Sequence, residues 1–324
     1  MATRDHRQQP PSSGEAGPSG EGGGEVGAGA VRVILNPTAG GGEEGEEIRA
    51  WAARRPGVRV RETSQAGDGR RWAREAAREG IDLVVAAGGD GTVHEVACGI
   101  VEHEGPAPAL GIVPLGTGND LVRSLGVPQD VEEALELLDR GRRRAMDAVR
   151  LEGVGDEPRF FFNALNGGFS GDVHDALDPE LKERWGPLSY LRSGLETWGE
   201  RTPYELELEV DGEESRHEAL NLVVANGAYA GHGIPVAPGA DPFDGLLDVL
   251  LIRDAPALEL SGLAARMLTG EPVEHELLAR WRARSVRIRA ERSLPVSVDG
   301  EPGELSEASV EVRPGALRVV PGSS

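Results

Sequence analysis

Along the first 144 residues, short apolar runs alternate with amphipathic stretches. The runs 31–35, 81–86 and 110–113 predict strands, and 81–86 is apolar enough to be buried on both faces, as in a parallel sheet. Residues 58–62 alternate between apolar and polar positions, which predicts a further short strand. Predicted helices cover 44–54, 69–79, 93–101 and 130–139. Strands that alternate with helices predict an α/β fold with a doubly wound parallel sheet.

The pattern changes near Arg142, and strands predominate after residue 145. They are predicted at 146–151, 159–165, 204–210, 219–225, 246–252, 285–290, 294–298 and 309–312. Short strands separated by turn residues are typical of an antiparallel β-sandwich. The sequence therefore predicts a disordered tail over 1–30, an α/β domain over 31–144 and a β-rich domain over 145–324. The last strands could pack back towards the first domain.

Composition narrows the functional classes. The net charge of −21 argues against a nucleic-acid partner, because phosphate contacts need a basic surface. The sequence has no apolar run long enough to span a bilayer and no apolar signal core, so we expect a cytoplasmic protein without a transmembrane segment. One cysteine, Cys98, rules out a disulfide framework. The arginines of 280–292 form either a solvated face or a contact with phosphate or a membrane surface.

Two glycine turns follow predicted strands and carry the candidate chemistry. Gly-Gly-Asp-Gly-Thr occupies 88–92, and Gly-Thr-Gly-Asn-Asp occupies 116–120. A glycine turn between a strand and a helix holds phosphate through backbone N–H groups and the helix N-terminus. Asp90 would repel a simple anion, but its carboxylate suits a site with Mg²⁺ or with a hydroxyl that must lose its proton. The pair of turns therefore predicts phosphoryl transfer from a nucleotide.

The motif at 88–92 resembles the signature shared by diacylglycerol kinases, sphingoid-base kinases, NAD kinases and 6-phosphofructokinases. The motif at 116–120 resembles the lipid-kinase branch, and Asn-Pro-Thr-Ala-Gly at 36–40 resembles a motif of bacterial diacylglycerol-kinase-like enzymes. Over roughly residues 31–320 the chain is similar to the diacylglycerol kinase catalytic-domain family. The resemblance implies transfer of the γ-phosphate of ATP, with Mg²⁺, to a lipid hydroxyl. Diacylglycerol is the candidate lipid, and a sphingoid base or another long-chain alcohol stays open.

The resemblance also implies the nucleotide site. Thr63 would contact the adenine or ribose end, with a helix cap as the alternative. His94 stands where related sequences usually carry Asn, and Glu95 would support the loop or the nucleotide. The implied nucleotide contacts are Asn36, Pro37, Thr38, Ala39, Gly40, Thr63, Gly89, Asp90, Gly91, Thr92, Val93, His94, Glu95 and Thr117.

Two acidic turns of the second domain complete the implied site. Mg²⁺ would be held by Asp244, with Asp241 and the backbone carbonyl of Leu246 nearby, although Asp-Gly alone indicates an ordinary β-turn. The proton-accepting carboxylate falls in Asp-Gly-Glu at 299–301, which alone would be a hairpin tip. We favour Glu301 as the base, with Asp299 as the alternative base or as a partner of the metal. Asp90 completes the candidate catalytic group.

Several alternatives stay open. Asp120 either caps the helix that follows it or faces the acceptor hydroxyl. A lipid would enter the cleft between the domains at a membrane surface, which implies peripheral association. The predicted helix 187–198 is either a core-packing helix or a wall for an acyl chain. A kinase for a soluble substrate such as NAD and a non-catalytic nucleotide-binding regulator are the competing functions. A homodimer is also compatible with the sequence.

Overall fold

A computed structural model describes residues 29–168 and 202–322. Its first part contains a parallel sheet in the order β4-β3-β1-β2. The strands are β1 (Val31–Leu35), β2 (Val58–Glu62), β3 (Leu83–Gly88) and β4 (Ala109–Pro114). The helices are α1 (Glu43–Ala53), α2 (Asp68–Arg78), α3 (Asp90–Val101), α4 (Asp120–Ser124) and α5 (Val131–Arg140).

Helices cover both faces of this sheet, because side chains point to alternate faces along each strand. Val33 and Leu35 of β1 pack with residues of α1 and α5 on one face. Ile34 between them packs with residues of α2 and α3 on the other face. The predicted doubly wound α/β architecture is therefore confirmed.

The second part is mainly antiparallel, as predicted. It contains one described helix, α6 (Ala257–Met267), within residues 202–322. The strands are β5 (Arg144–Glu152), β6 (Arg159–Phe161), β7 (Ala164–Gly168), β8 (Tyr204–Val210), β9 (Glu213–Ala219), β10 (Asn221–Ala225), β11 (Tyr229–Ala230), β12 (Ile234–Pro235), β13 (Leu247–Ile252), β14 (Leu278–Ala283), β15 (Ser285–Val298) and β16 (Glu301–Val319).

The end of β16 joins the two parts. Val319 pairs in parallel register with Leu110 of β4, so the parallel and antiparallel strands form one continuous sheet. Leu317 and Val319 pack among the residues of α2 and α3, and Val320 packs among those of α1 and α5. The first part therefore shares its hydrophobic core with the last strand of the chain.

The structure differs from the sequence-based predictions in several elements. Helix α3 begins at Asp90, so the 90–92 segment forms its first turn and not a loop before it. The sequence pattern does not predict β9, α6 or β14. The strands predicted at 285–290 and 294–298 are a single strand, β15, whose pairing with β16 has an irregular register between Arg289 and Leu294. The predicted helix 187–198 and nearly all of the predicted tail lie outside the described residues. Among the helices that the structure describes, none is long and apolar enough to cross a bilayer.

Candidate active site

Three loops meet at the carboxyl ends of β1, β3 and β4, where open α/β sheets bind ligands. They are the first loop (36–40), the second loop (88–92, which runs into α3) and the third loop (116–120). The second and third loops touch through glycine, because a Cβ on Gly116 would lie only 2.7 Å from the Cα of Gly89. The backbone N–H of Leu115 donates to the carbonyl of Gly88 at 2.9 Å. The glycines of both motifs therefore permit an approach that any side chain would prevent.

The first loop is ordered by Asn36. Its Oδ1 accepts from the backbone N–H and the hydroxyl of Thr38, at 3.1 and 2.8 Å, and its Nδ2 donates to Oγ1 of Thr92 at 3.3 Å. Gly40 has a φ of 75°, which favours glycine. Pro37 and Thr38 are exposed, with Ala39 partly buried between Thr38 and Gly40. Asn36 therefore shapes the loop and ties it to α3.

The N-terminus of α3 lies between these loops. Gly89 is the N-cap, and no side chain caps the helix there. The N–H groups of a first helical turn and the helix dipole favour an anion. Gly91 and Thr117 are exposed on the two sides of the loop contact, while Thr92 is buried. This arrangement suits a phosphate group.

Asp90 bridges two loops. Its Oδ2 accepts from the backbone N–H of Asn119 at 2.8 Å, and its Oδ1 accepts from that of Asp120 at 2.7 Å. A Cβ on Gly118 would lie 2.7 Å from Oδ2, so a side chain at position 118 would displace this carboxylate. The carboxylate of Asp90 therefore fixes the 116–120 loop to the start of α3.

Asp120 connects this loop to the second part of the chain. The N-cap of α4 is Asn119, so Asp120 does not cap the helix. Its carboxylate accepts from the backbone N–H groups of His232, at 3.3 Å, and Gly233. Burial raises the pKa of Asp120, and the charge of Asp90 adds to this, although the hydrogen bonds to the carboxylate oppose it. Asp120 therefore links the third loop to the turn between β11 and β12.

The acidic hairpin tip between β15 and β16 also reaches the loops. Asp299 and Gly300 have φ values of 48° and 89°, as in a two-residue type I′ turn. The carboxylate of Asp299 accepts from three successive backbone N–H groups, Phe162 at 2.8 Å, Asn163 at 3.0 Å and Ala164 at 3.0 Å. Oδ2 of Asp299 also lies 3.1 Å from Nδ1 of His94 on α3.

Between these groups lies a small cavity with a volume of about 30 Å³. Its lining includes Asp90, His94, Asp120 and Asp299. Glu301 follows directly at the start of β16, where its side chain is 60% exposed and pairs with Arg159 at 3.3 Å. The structure therefore brings the second and third loops and the acidic tip together around one cavity.

Three other predicted nucleotide residues have different surroundings. Glu95 accepts from the N–H groups of Gly67 and Gly69, at 2.7 and 2.9 Å, and so supports the start of α2. Val93 is 2% exposed and packs in the core. The backbone N–H of Thr63 donates to Leu35, and Gly67 is the N-cap of α2, so Thr63 does not cap that helix.

In the turn at 241–246, which the resemblance implies as a metal site, both carboxylates are paired with groups of the protein. Oδ1 of Asp241 accepts from the N–H of Phe243 at 3.1 Å, and Oδ1 of Asp244 accepts from the N–H of Leu246 at 2.9 Å. The other oxygen of Asp244 pairs with Arg282. Beside the turn, Asp147 is 2% exposed.

The donors of this turn fit Mg²⁺ only in part. Carboxylates and a carbonyl are suitable ligands, and local negative charge is in excess. Burial raises the pKa of Asp147, and the charges of Asp244 and Asp241 add to it, against two backbone hydrogen bonds. Within 29–168 and 202–322, however, no three acidic, histidine or cysteine side chains form a group suited to a metal. An ion on Asp244 would have to displace Arg282.

Two buried asparagines support the cleft without having been predicted. Oδ1 of Asn163 accepts from the hydroxyl of Ser124 at 2.8 Å, which links β7 to α4. Nδ2 of Asn226 donates to the carbonyls of Phe162 and Asp147, at 2.8 and 3.3 Å. An asparagine inside or directly after an apolar run, as in both cases, is the sequence signal for such a role.

Four of the six arginines of 280–292 pair with acidic groups, while Arg292 donates to the backbone carbonyl of Thr202. Arg280 pairs with the buried Asp248, and Arg287 pairs with Glu209 at 2.9 Å. Arg289 lies near Glu207 and Glu307, at 3.4 and 3.3 Å. These ion pairs favour the interpretation as a solvated face.

Comparison with known proteins identifies the family. Residues 30–151 match the model of the diacylglycerol kinase catalytic domain, and residues 164–321 match the YegS C-terminal NAD kinase beta sandwich-like domain. A protein of Pseudomonas fluorescens named "Probable lipid kinase YegS-like" is 38% identical over 278 residues, which are 85% of this chain and 90% of that protein. The chain belongs to the diacylglycerol kinase catalytic-domain family.

Further comparisons extend over nearly the whole chain of these family members. A "Probable lipid kinase YegS-like" of Xanthomonas euvesicatoria is 34% identical over 300 residues, covering 90% of this chain and 96% of that protein. The crystal structure of a diacylglycerol kinase from Bacillus anthracis superimposes with a TM-score of 0.73 at 25% identity, covering 92% of this chain and 98% of that chain. The matched residues therefore include the three glycine-containing loops and the acidic hairpin tip.

Proposed function

We propose that this member of the diacylglycerol kinase catalytic-domain family is a lipid kinase that transfers the γ-phosphate of ATP to a lipid hydroxyl. The observation that carries the proposal is the meeting of the three loops that follow β1, β3 and β4, beside a cavity lined by Asp90, Asp120 and the tip residue Asp299. The names of the relatives support a lipid acceptor. Diacylglycerol is the first candidate, presented at a membrane surface that the protein would contact peripherally.

The chain would bind the phosphates of ATP mainly through backbone groups. The first turn of α3 offers N–H groups near Gly91 and Thr92, with the helix dipole behind them. The hydroxyl of Thr117 is exposed on the third loop and would donate to a phosphate oxygen, whereas the hydroxyl of Thr38 already donates to Asn36. Asp90 holds the loops in register through its two backbone acceptor contacts. Positioning of this kind supplies much of the catalysis of phosphoryl transfer.

Mg²⁺ would arrive with ATP and offset the negative charge of its phosphates. Asp241, Asp244 and the carbonyl of Leu246 would hold a further ion at their turn if Arg282 released Asp244.

Glu301 would act as the proton acceptor. Each carboxylate oxygen of Asp299 already accepts two hydrogen bonds. Asp299 is therefore poorly suited to accept the hydroxyl proton as well. Glu301 follows Gly300, which lines the cavity, and its exposed side chain pairs with Arg159 at 3.3 Å. The lipid oxygen would bond to the γ-phosphorus as the bond to the β–γ bridging oxygen breaks, and the hydroxyl proton would pass to Glu301.

The proposal is tested by transfer of labelled phosphate from ATP, with Mg²⁺ or with EDTA, to a panel of lipids in mixed micelles. NAD and sugar phosphates serve as soluble acceptors. Glu301→Gln should lower kcat by about 10² to 10⁴. Glu304→Gln is the matched control, because Glu304 lies exposed on the same strand and accepts a hydrogen bond from the hydroxyl of Ser293 at 2.8 Å.

Phosphorylation of a lipid that is lost in Glu301→Gln and kept in Glu304→Gln would support the proposal. Transfer to NAD alone would reject the lipid acceptor. Equal loss of activity in both variants would reject the specific role of Glu301. ATP binding without transfer to any acceptor would favour a regulatory protein.

A further inference from the structure

His94 stands at the junction of the two halves of the cleft. It lies on α3, one turn after Asp90, and its side chain is 15% exposed. Its Nδ1 is 3.1 Å from Oδ2 of Asp299, a residue 205 positions away. A carboxylate only accepts hydrogen bonds, so Nδ1 of His94 carries the proton and donates it.

The remaining faces of the imidazole ring are also occupied. Nε2 lies 3.5 Å from Sγ of Cys98, which is one helical turn further along α3 and buried. The ring meets Phe162 edge-on, with 5.8 Å between ring centroids. Phe162 is itself the first of the three residues whose N–H groups bind Asp299. Both ring nitrogens are therefore directed at protein groups, and neither is turned to the phosphate loop.

Asp299 sets the position of the acidic tip. Together with Gly300 it forms the two-residue turn between β15 and β16, and Val298 pairs with Glu301 across that turn. Three N–H groups fix Asp299 to the β6–β7 junction in the second part of the chain. His94 provides the contact from Asp299 to the helix that begins at the phosphate loop.

We propose that His94 is a positioning residue for phosphoryl transfer, which holds the 299–301 tip against α3 without contacting the nucleotide. The inference rests on the proposed function and deepens it. A nucleotide bound at the start of α3 and a proton acceptor on the hairpin tip must be held in one geometry, and His94 joins their two supports. Misplacement by about 1 Å is enough to cost 10²-fold in rate.

The test compares His94→Phe with His94→Gln. Phenylalanine keeps a ring against Phe162 and Cys98 but removes the donor to Asp299, whereas the glutamine amide restores a donor. We expect His94→Phe to lower kcat by about 10² while the KM and the Kd for ATP stay within about threefold of wild type. We expect His94→Gln to recover at least part of that loss.

A second readout is independent of turnover. Hydrogen exchange of the amides of 162–164 reports directly on the contacts of Asp299. Exchange at these amides should be faster by about tenfold or more in His94→Phe than in wild type or His94→Gln, because Asp299 loses one of its anchors.

The outcomes separate the possible roles. A weaker Kd for ATP with kcat preserved would show a nucleotide contact and overturn the proposal. Equal defects in His94→Phe and His94→Gln, or unchanged exchange at 162–164, would also overturn it. If wild type phosphorylates no acceptor, the proposed function fails, and the exchange data alone then decide whether His94 holds the tip.

Discussion

Three aspartates define the geometry of the cleft at the scale of single residues. Asp90, Asp120 and Asp299 each accept backbone N–H groups from a segment distant in sequence. Hydrogen bonds from N–H to a carboxylate are shorter and stronger than neutral ones, and they satisfy backbone groups that would otherwise be costly to bury. The positions of the loops therefore depend on individual carboxylates as well as on the packing of helices and strands.

The buried contact between His94 and Asp299 should make stability depend on pH. Burial alone would lower the pKa of His94, but its hydrogen bonds to Asp299 and Cys98 and their charges raise it to about 11. A folded-state pKa above the unfolded value means that the native state binds more protons between the two. The contribution of His94 is therefore complete below about pH 6.5 and is lost as the pH rises towards about 11.

Urea unfolding of wild type and His94→Gln from pH 6 to 10 measures this effect. We expect the difference in unfolding free energy between the two proteins to shrink as the pH increases, because only wild type releases the additional proton. A constant difference across this range would show that His94 is already neutral in the folded protein.

The chemical identities at the site could be predicted from sequence, but the partners could not. Asp90, Asp299 and Glu301 stand in short motifs next to glycine, which mark turns and phosphate contacts locally. The contact of Asp90 with Asn119 spans 29 positions, and that of His94 with Asp299 spans 205. Such contacts depend on how the sheet brings strand ends together, which no local pattern specifies.

At the scale of elements, the sequence predicts a strand best where all residues of that strand are buried. Strand β3 is buried along all six residues, and its apolar run indicates it clearly. Strand β9 carries mostly charged and exposed residues, so its pattern gives no signal. Asp211 and Gly212 before it have φ values of 47° and 89° and form the turn that follows β8. This Asp-Gly pair is a strong hairpin signal and would have predicted β9.

The contact between the second and third loops can be tested through glycine. A methyl group on Gly116 would lie 2.7 Å from the Cα of Gly89, so Gly116→Ala must push the loops apart. Overpacking typically costs about 1–3 kcal/mol, and we expect a lower Tm together with a KM for ATP raised about tenfold or more. Gly91→Ala is the control for stability, because a Cβ there meets nothing within 4 Å. Equal Tm values for the two variants would contradict the close loop contact.

At the scale of the whole molecule, the predicted boundary at residue 144 does not divide the hydrophobic core. Met146 and Phe162 pack with α2 and α3, and so do Leu317 and Val319 from the end of β16. The sequence indicates the change from alternating to mainly strand structure near Arg142. The sequence analysis allows the last strands to pack back towards the first domain, but it does not indicate which residues enter the core there, because an apolar strand residue carries no information about the layer that it enters.

Because the core is shared, we expect a core substitution in β16, near the end of the chain, to destabilise the parallel sheet near its beginning. Leu317 is 1% exposed, and Leu317→Ala should cost about 2–5 kcal/mol because it leaves a cavity beside α2 and α3. If the molecule unfolds as one unit, Leu317→Ala should accelerate amide exchange in β3, which shares the core cluster of Leu317. Exchange should also accelerate in β8, although the residues of β8 lie in a different core cluster. Leu258→Ala is the matched control, since Leu258 is 84% exposed and its loss should change neither. Faster exchange confined to β16 and β5 would show instead that the two parts unfold separately, and the parallel sheet would then be stable without the strand that completes it.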